Sequence, residues 1–242
     1  MNVDDMVQNW NIWGNKDPLW SILSDPSKKD GKWDEKEFFA TGEQQITRRL
    51  QWLRDLGIAL QPGLALDFGC GVGRLTNALA AHFREAHGVD VSPSMIDRAR
   101  QLNRHPDCVK YFHNPKGDLS DFETGKYDFI YTELVLQHIP PRFQKVYIAE
   151  FFRLLSFGGV AVFQTIHAVG WRRWIPHWFA DMIRKRRSRG AAFIPMYGHP
   201  PGEIRGLCDR SGAKVLHYET YPVDRTFGRY WCDIFVVSRS AK

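Results

Sequence analysis

The chain has 242 residues, a length that allows one elaborated domain or two small ones, and we expect a single core. A hydrophobic fraction of 43%, a charged fraction of 25% and a mean hydropathy of −0.39 are typical of soluble globular proteins and exclude wholesale disorder or a fibrous repeat. The longest apolar runs fall well short of the ~20 residues that a membrane span needs.

The N-terminus and the cysteines bear on the cellular compartment. The first ten residues, MNVDDMVQNW, are acidic and polar and lack the basic and apolar regions of a signal peptide. Four scattered cysteines, Cys70, Cys108, Cys208 and Cys232, show no CxxC spacing, which favours reduced thiols over a disulfide frame or a zinc site. We therefore expect a cytoplasmic protein.

Residues 1–60 carry no strand signal and hold five of the nine tryptophans. The Asp17-Pro18 and Asp25-Pro26 pairs break this stretch, which predicts short helices and loops. Apolar residues at three- and four-residue steps then predict a helix over 35–56 that ends before Gly57. The stretch is therefore predicted to be a helical extension in front of the first strand.

Short apolar runs then alternate with amphipathic segments. The predicted strands are 64–68, 86–90, 108–113, 127–132 and 159–165, the predicted helices between them are 74–83, 93–102 and 141–155, and the tail adds helix 203–211 and strands 214–220 and 231–238. Such β-α-β alternation predicts a doubly wound α/β fold in which helices cover both faces of a parallel sheet.

One segment, 171–190, carries the excess charge of +6. It holds seven Arg or Lys residues and one Asp, while the rest of the chain has 26 residues of each sign. Trp171, Trp174 and Trp178 recur at helical spacing, so one interpretation is an amphipathic helix packed on the body. The others are contact with an anionic ligand or with a peripheral anionic membrane surface. The patch is too short for the basic footprint of a duplex-binding protein, which argues against nucleic acid.

A glycine-rich loop, DFGCGVGR at 67–74, joins the first predicted strand to the next helix. Glycines let backbone N–H groups approach a ligand closely, and the following helix N-terminus adds positive potential. Asp90 ends the second strand, where a carboxylate can accept hydrogen bonds from both ribose hydroxyls. These features predict a nucleotide-type cofactor. Arg74 stands where a dinucleotide dehydrogenase would need glycine, which argues against that class.

At these residues the chain resembles the class I S-adenosylmethionine-dependent methyltransferases. LALDFGCGVGRL is similar to their first motif, GVDVSPSMIDRAR to the segment after it, YDFIYTELVLQHIP to the fourth-strand motif, and RLLSFGGVAVFQT to the region through strand five. The resemblance implies a Rossmann-like, mostly parallel seven-stranded sheet with an antiparallel C-terminal strand. It places a methyltransferase domain at 61–242 after the extension 1–60, with a helical insertion after strand five, at about 168–198.

The resemblance also implies S-adenosylmethionine as the cofactor. Asp67, Gly69 and Gly71 would serve its methionine part, and Cys70 would contribute backbone. The Asp67 carboxylate would hold the ammonium group of the amino-acid tail, directly or through water.

The nucleoside part of the cofactor would lie at the ends of the next strands. Asp90 would bind the ribose, and Val91 and Met95 would pack against adenine. After the third strand the run NPKGDL departs from the family pattern, and because proline has no N–H, Asn114 or Asp118 must contact the adenine amino group. The predicted set also includes Leu119 and Thr132.

Methyl transfer to a hydroxyl needs a base, because the acceptor's proton must leave as the bond forms. Ligands bind at the carboxyl ends of the strands in such sheets, where Glu133 and His138 follow strand four and His167 follows strand five. Both histidines are candidate bases, although His138 could instead bond a carbonyl and shape its loop, and His167 could be an exposed loop residue. Glu133 would bind the acceptor, orient a histidine or coordinate a metal. No ligand spacing is recognisable, so we predict no metal site.

The absence of two sequence motifs narrows the class of acceptor. The residues after strand four lack the Asn/Asp-Pro-Pro-aromatic motif of nucleic-acid adenine methyltransferases, and no Pro-Cys pair is placed for pyrimidine methylation. We expect a small-molecule acceptor methylated on oxygen, with an anionic or a lipid-linked substrate as variants. The alternatives are an RNA methyltransferase that uses segment 171–190 and a non-catalytic cofactor-binding partner protein. The extension 1–60 and segment 171–190 are predicted to form a cap over the acceptor.

Overall fold

The computed structural model describes residues 2–168, 182, 186, 194–222 and 230–239. The helices are α1 (Val3–Lys16), α2 (Pro18–Ile22), α3 (Glu35–Asp55), α4 (Arg74–Leu79), α5 (Pro93–Gln101), α6 (Pro141–Leu154) and α7 (Pro201–Arg210), and the strands are β1 (Leu64–Phe68), β2 (Glu85–Asp90), β3 (Val109–His113), β4 (Tyr127–Thr132), β5 (Leu155–Ala168), β6 (Ala213–Pro222) and β7 (Tyr230–Arg239). The strands form a 7-stranded sheet in the order β3-β2-β1-β4-β5-β7-β6. The predicted α/β fold with its helical N-terminal extension and antiparallel C-terminal strand is confirmed.

Two elements differ in length from the sequence prediction. Helix α4 ends at Leu79 rather than at residue 83, because tighter turns follow it and bring Phe83 onto the ring of Phe129 at 5.1 Å. Strand β5 runs over 155–168 rather than 159–165, because β7 pairs with it as far as Ala168. In both places a long-range contact overrides the local pattern.

The chain divides into two compact units, and the first comprises residues 7–116 and 127–131. Here β1 pairs in parallel with β2 and with β4, and β2 pairs in parallel with β3. Every residue of β1 is buried, as expected for a central strand of a parallel sheet. Because these strands run in the same direction, their carboxyl ends, with the loops that follow β1 and β2, lie at the same edge of the sheet.

The N-terminal extension belongs to the core of this first unit. Phe38 and Phe39 of α3 form a hydrophobic cluster with Val72 of the glycine-rich loop and Met95 of α5. Side chains from the first 33 residues pack on that cluster, namely Leu19, Ile22, Leu23 and Trp33. Full burial of an aliphatic side chain contributes about 1.5–3 kcal/mol, and these partly buried side chains each contribute a fraction of such a value. Hydrophobic contacts therefore tie the extension to the loop it covers.

The second unit comprises residues 2–6, 117–126 and the described part of 132–239. Its strands pair antiparallel, β7 lying between β5 and β6. Phe163 and Phe235 stack across the β5–β7 pair at 5.3 Å. At the end of α6 the Arg153 guanidinium donates to the carbonyl oxygens of Leu119 and Phe122, which holds the loop 117–126 in place.

The predicted basic insertion, 171–190, lies outside the described residues apart from Met182 and Arg186, both of which are exposed. The proposed capping role of that segment therefore stays a prediction. Among the described helices, none has the length and apolar character required to cross a membrane.

Gly42 is predicted to be required for the close packing of α3 on α4. A Cβ atom at Gly42 would lie 2.6 Å from the backbone oxygen of Arg74. Alanine favours a helix over glycine by about 1 kcal/mol, but overpacking costs about 1–3 kcal/mol, and backbone cannot swing aside. We expect Gly42→Ala to lower the free energy of unfolding by about 1 kcal/mol, measured by urea denaturation.

Gly202→Ala is the matched control, since Gly202 lies in α7 and a Cβ atom there would meet no atom within 4 Å. It should be neutral or slightly stabilising. Equal gains in stability from both substitutions would contradict the tight α3–α4 contact.

Candidate functional site

The glycine-rich loop after β1 depends on backbone conformations that favour glycine. Gly69, Gly71 and Gly73 have φ values of 74°, 54° and 83°, in the left-handed region that L side chains rarely adopt. A Cβ atom at Gly71 would also come within 2.5 Å of the Ile22 side chain. The N–H groups of Gly69 and Cys70 both donate to the carbonyl oxygen of Val89, so the loop is fastened to strand β2.

Asp90 lies at the end of β2 and is bonded to the same loop. Its Oδ2 accepts from the N–H of Gly71 at 2.9 Å and its Oδ1 accepts from the N–H of Ser92 at 2.9 Å. Ser92, not Asp90, is the N-cap of α5, where its hydroxyl accepts from the N–H of Met95. Burial raises the pKa of Asp90. A carboxylate has about four lone-pair sites, so each oxygen can still accept a hydroxyl.

Asp67 lies inside β1 and is 2% exposed. The hydroxyl of Thr76 donates to its Oδ2 at 2.7 Å, and the backbone N–H of the same residue also favours the ionised form. Burial raises the pKa of Asp67 to about 6, while the Thr76 hydrogen bond and nearby Arg74 act in the opposite direction. A cationic group beside Asp67 would satisfy a carboxylate whose charge is poorly compensated.

The predicted adenine contacts fall in different surroundings. Met95 is 2% exposed within the Phe38–Phe39–Val72 cluster, and Val91 is half-buried. Asn114 is buried, and its N–H donates to the carbonyl oxygen of Asp90, which fixes the start of the loop after β3. Their roles towards adenine stay predictions.

Three predicted cofactor residues belong to the second unit. Asp118 accepts from the N–H and the hydroxyl of Ser120, which closes a turn. Leu119 is 1% exposed, and its carbonyl oxygen accepts from Arg153. Thr132 is 1% exposed, and its hydroxyl has no hydrogen-bond partner within the described part of the chain. An orphaned buried hydroxyl is the kind of group that a bound molecule satisfies.

The first unit also holds an arginine-lined cavity that the sequence analysis missed. Its volume is about 500 Å³, and Arg48, Arg49 and Arg74 line it together with Thr41 and Gln45. Arg74 directly follows the glycine-rich loop, and its guanidinium donates to the Thr41 hydroxyl and to the Gln45 side chain. None of the described lining residues is acidic. The adjacent arginines in α3 were the available signal, but the sequence does not show that α3 packs beside Arg74.

In the second unit, the loop after β4 is strained and held by amide side chains. Leu134 has a φ of 64°, a conformation that costs a non-glycine residue about 1–3 kcal/mol. Its N–H donates to Oε1 of Gln164, and Gln164 in turn donates to Gln137. Glu133, next to Leu134, is half-buried. Strain of this kind is common in loops that bind ligands.

His138 ends this chain of polar contacts. Its Nδ1 lies 2.5 Å from the carbonyl oxygen of Pro195, and its Nε2 lies 3.1 Å from the Gln137 amide nitrogen. A carbonyl only accepts, so Nδ1 carries the proton and Nε2 accepts from Gln137. Burial lowers the pKa of His138 to about 4. The ring is neutral with both nitrogens engaged.

His167, near the end of β5, is held by a carboxylate. Its Nδ1 lies 2.5 Å from Oδ2 of Asp233 in β7, and its ring stacks on that of Trp231 at 6.5 Å. Asp233 was missed by the sequence analysis, although one carboxylate inside the apolar run WCDIFVVS is a visible signal. No group of three or more metal-ligating side chains is present among the described residues.

Comparison with solved structures supports this architecture. Magnesium protoporphyrin IX methyltransferase from Synechocystis PCC 6803 with bound S-adenosylhomocysteine superposes with a TM-score of 0.64 at 20% identity, covering 99% of this chain and 100% of that chain. The same protein with bound S-adenosylmethionine gives a TM-score of 0.61 at 19% identity, covering 99% and 98%. At these identities the likeness shows the fold.

Curated relatives match part of the chain. Ubiquinone biosynthesis O-methyltransferase from Bordetella avium is 28% identical over 136 residues, which cover 56% of this chain and 56% of the relative. The protein of the same name from Psychrobacter arcticus is 28% identical over 152 residues, covering 56% and 58%. The chain thus spans little more than half the length of these relatives.

A family model described as a methyltransferase domain matches residues 42–218, which is well over half of the chain. The match includes the glycine-rich loop, Asp90 and strands β1 to β5, so it rests on the same elements as the sequence prediction. Together with the fold, it confirms the predicted class I family and its cofactor, S-adenosylmethionine. The chain belongs to the methyltransferase domain family.

Proposed function

We propose that this methyltransferase transfers a methyl group from S-adenosylmethionine to a hydroxyl oxygen of a small molecule. The observation that carries the proposal is the hydrogen bond between the glycine-rich loop and Asp90, in which the Gly71 N–H donates to the carboxylate. The remaining lone pairs of that carboxylate can accept the hydroxyls of a ribose. Relatives named ubiquinone biosynthesis O-methyltransferase support oxygen as the acceptor atom. Because they match only about half their length, the acceptor itself is proposed as a class, anionic or lipid-linked.

The cofactor's amino-acid tail fits two features of the first unit. Its ammonium group would be held by Asp67, whose buried carboxylate lacks a cationic partner at hydrogen-bond distance within the described residues. Its carboxylate would enter the cavity lined by Arg48, Arg49 and Arg74, because guanidinium groups bind carboxylates through paired hydrogen bonds. The ammonium and carboxylate groups of the tail would thus each meet a group of opposite charge, since Asp67 begins the glycine-rich loop and Arg74 ends it.

The chemistry needs little beyond positioning. When bound, S-adenosylmethionine supplies an electrophilic methyl group on a sulfonium sulfur. Holding two reactants in line can lower a barrier by roughly 7–11 kcal/mol. The protein's residues orient the acceptor, exclude water and take the proton from the acceptor hydroxyl, for which His138 and His167 are the proposed bases, with Glu133 as an acceptor-binding group.

The N-terminal extension is proposed to cover the cofactor as part of a cap. The Ile22 side chain sits on Gly71, and the Asn11 carbonyl oxygen accepts from the hydroxyl of Ser94 at 3.1 Å, close to the end of β2. Both contacts lie next to positions that we propose to bind the cofactor. The extension therefore shields the cofactor's edge in the first unit.

Asp90→Ala should weaken binding of S-adenosylhomocysteine about 10- to 100-fold, because a hydrogen bond to a charged group is worth about 1.5–3 kcal/mol. Calorimetric titration measures the change. Asp97→Ala is the control, since Asp97 is an exposed carboxylate on α5 paired with exposed Arg100, and it should bind like the native protein. Native affinity in Asp90→Ala would contradict the ribose assignment.

Cofactor affinity should depend on pH through Asp67. The pKa of Asp67 is raised to about 6, and an ammonium group requires the ionised form. Affinity for S-adenosylhomocysteine should therefore level off about one unit above this pKa and fall by up to about tenfold per pH unit below it. Asp67→Asn should bind weakly at pH 7 and show a flatter profile, whereas Asp97→Asn should keep the native one. A flat native profile from pH 5 to 8 would refute the ammonium assignment.

The acceptor class is tested with methyl-labelled S-adenosylmethionine and fractionated cell extract. We expect label in base-stable products of the small-molecule or lipid fraction, and none in RNA. His167→Ala should lower turnover about 10²- to 10⁴-fold, the range of general-base catalysis, with S-adenosylhomocysteine affinity kept. His138→Ala tests the second candidate base, and a loss of that size there in place of His167→Ala would assign the base to His138. Label in RNA would favour the RNA methyltransferase alternative, and binding without transfer to any fraction would favour the non-catalytic one.

A further inference from the structure

A buried carboxylate in the second unit stands out from its strand. Asp233 is 0% exposed and lies in β7 between apolar neighbours. Its Oδ2 contacts Nδ1 of His167 at 2.5 Å, and its Oδ1 accepts from the hydroxyl of Tyr218 in β6 at 2.6 Å. Burying a carboxylate is costly unless it is well bonded, and an apolar residue of similar size is often as stable or more stable. The group therefore calls for a reason other than stability.

The geometry around His167 sets its tautomer. An ionised carboxylate only accepts hydrogen bonds, so Nδ1 of the His167 ring carries a proton. The neutral ring then has its lone pair on Nε2. Within the described residues, no hydrogen bond reaches Nε2, and the side chain keeps 21% of its surface exposed. Trp231 lies beside the ring, with the two ring centroids 6.5 Å apart.

A second, independent observation marks the same face of the sheet. Thr165 pairs with Asp233 across the β5–β7 ladder and lies two residues before His167, so the three side chains share one face. The Thr165 hydroxyl is buried, and it has no hydrogen-bond partner in the described part of the chain. An unsatisfied buried hydroxyl on the same face as a partly exposed imidazole is what a polar ligand would complete.

We propose that Asp233 and Tyr218 are positioning residues that hold His167 as the base for the acceptor hydroxyl, which rests on the proposed function above. The acceptor's O–H proton passes to Nε2 of His167, and the oxygen's electron pair forms the new O–CH₃ bond. The C–S bond breaks with its electrons remaining on sulfur, and the imidazolium ring returns its proton to solvent. Asp233 stays ionised and stabilises that imidazolium, while Tyr218 fixes the carboxylate.

Two other histidines in the same unit lack this arrangement. His138 has both ring nitrogens engaged, with Pro195 and Gln137, so its proposed part as a base would require that contact to break. His217 pairs with Glu219 at 3.8 Å on β6, and both side chains are about a third exposed. The more exposed His217–Glu219 pair is therefore a matched control for the His167–Asp233 pair.

The test compares Asp233→Asn, Tyr218→Phe and His167→Gln with the controls Glu219→Gln and His217→Gln. Histidine tautomers are read from ¹⁵N-edited NMR spectra, with His167→Gln assigning the signal. Reactivity at Nε2 is read as the rate of carbethoxylation by diethylpyrocarbonate, located by mass spectrometry. Thermal unfolding and S-adenosylhomocysteine affinity report the fold. Turnover uses labelled S-adenosylmethionine and the extract fraction that the native protein labels.

We expect the native ring protonated on Nδ1 and reactive at Nε2. An asparagine amide can donate to Nδ1 and force the opposite tautomer, so Asp233→Asn should lose Nε2 reactivity and lower kcat about 10²- to 10⁴-fold with KM unchanged. Tyr218→Phe should lower kcat about tenfold. Both controls should behave like the native protein. Should Asp233→Asn not fold, Tyr218→Phe carries the comparison.

Failure of this inference is distinguishable from failure of the proposed function. A native ring protonated on Nε2, or unchanged Nε2 reactivity in folded Asp233→Asn and Tyr218→Phe, overturns the positioning role even if methyl transfer is seen. Loss of folding stability with kcat unchanged would mean that the group is only structural. If the native protein binds no S-adenosylhomocysteine or labels no fraction, the proposed function fails, and the NMR and carbethoxylation results still decide the tautomer.

Discussion

The hydrogen bond from the N–H of Gly71 to the carboxylate of Asp90 joins two loops that the chain must place together. The parallel register of β1 and β2 brings the loop beside Asp90, and at the donor residue the chain turns with a positive φ of 54°, a conformation that favours glycine. Ile22 occupies the space where a Cβ would stand. Sheet register, loop conformation and the N-terminal packing thus meet at one short contact.

Residue patterns within single short segments account for most of the elements that the sequence predicts correctly. LALDF is apolar throughout except for Asp67 and is bounded by turn-forming residues, so its strand matches the predicted bounds. Ser92 followed by proline identifies the start of α5, and its side chain caps that helix as expected. The glycine spacing and Asp90 then locate the predicted cofactor site, because each residue's role there depends on close sequence neighbours and one adjacent strand.

Contacts between distant segments account for what the sequence does not predict. Asp233 and His167 meet only because β7 pairs antiparallel with β5, and nothing near either residue specifies that register. The arginine cavity likewise needs α3 against α4, an approach permitted by Gly42, a residue that reads as an unfavourable helix position in isolation. For Met95 the sequence is ambiguous, because its helical spacing is compatible with both a core position and an adenine contact. The structure places it in a hydrophobic cluster.

The negative charges of two buried carboxylates, Asp67 and Asp233, are compensated in different ways. This difference accounts for the two roles we propose, ligand binding for Asp67 and side-chain positioning for Asp233. Asp67 receives a hydroxyl bond from Thr76, and burial shifts its pKa to about 6, so its ionised form is stabilised further by a cation that arrives with the ligand. Asp233 is bonded on both oxygens by groups of its own sheet, so no ligand is needed to complete it. A buried carboxylate without a counter-charge can contribute affinity, because a bound cation compensates the cost of its desolvation. A carboxylate that is already hydrogen-bonded on both oxygens instead orients and stabilises the group it holds, which here is the imidazole of His167.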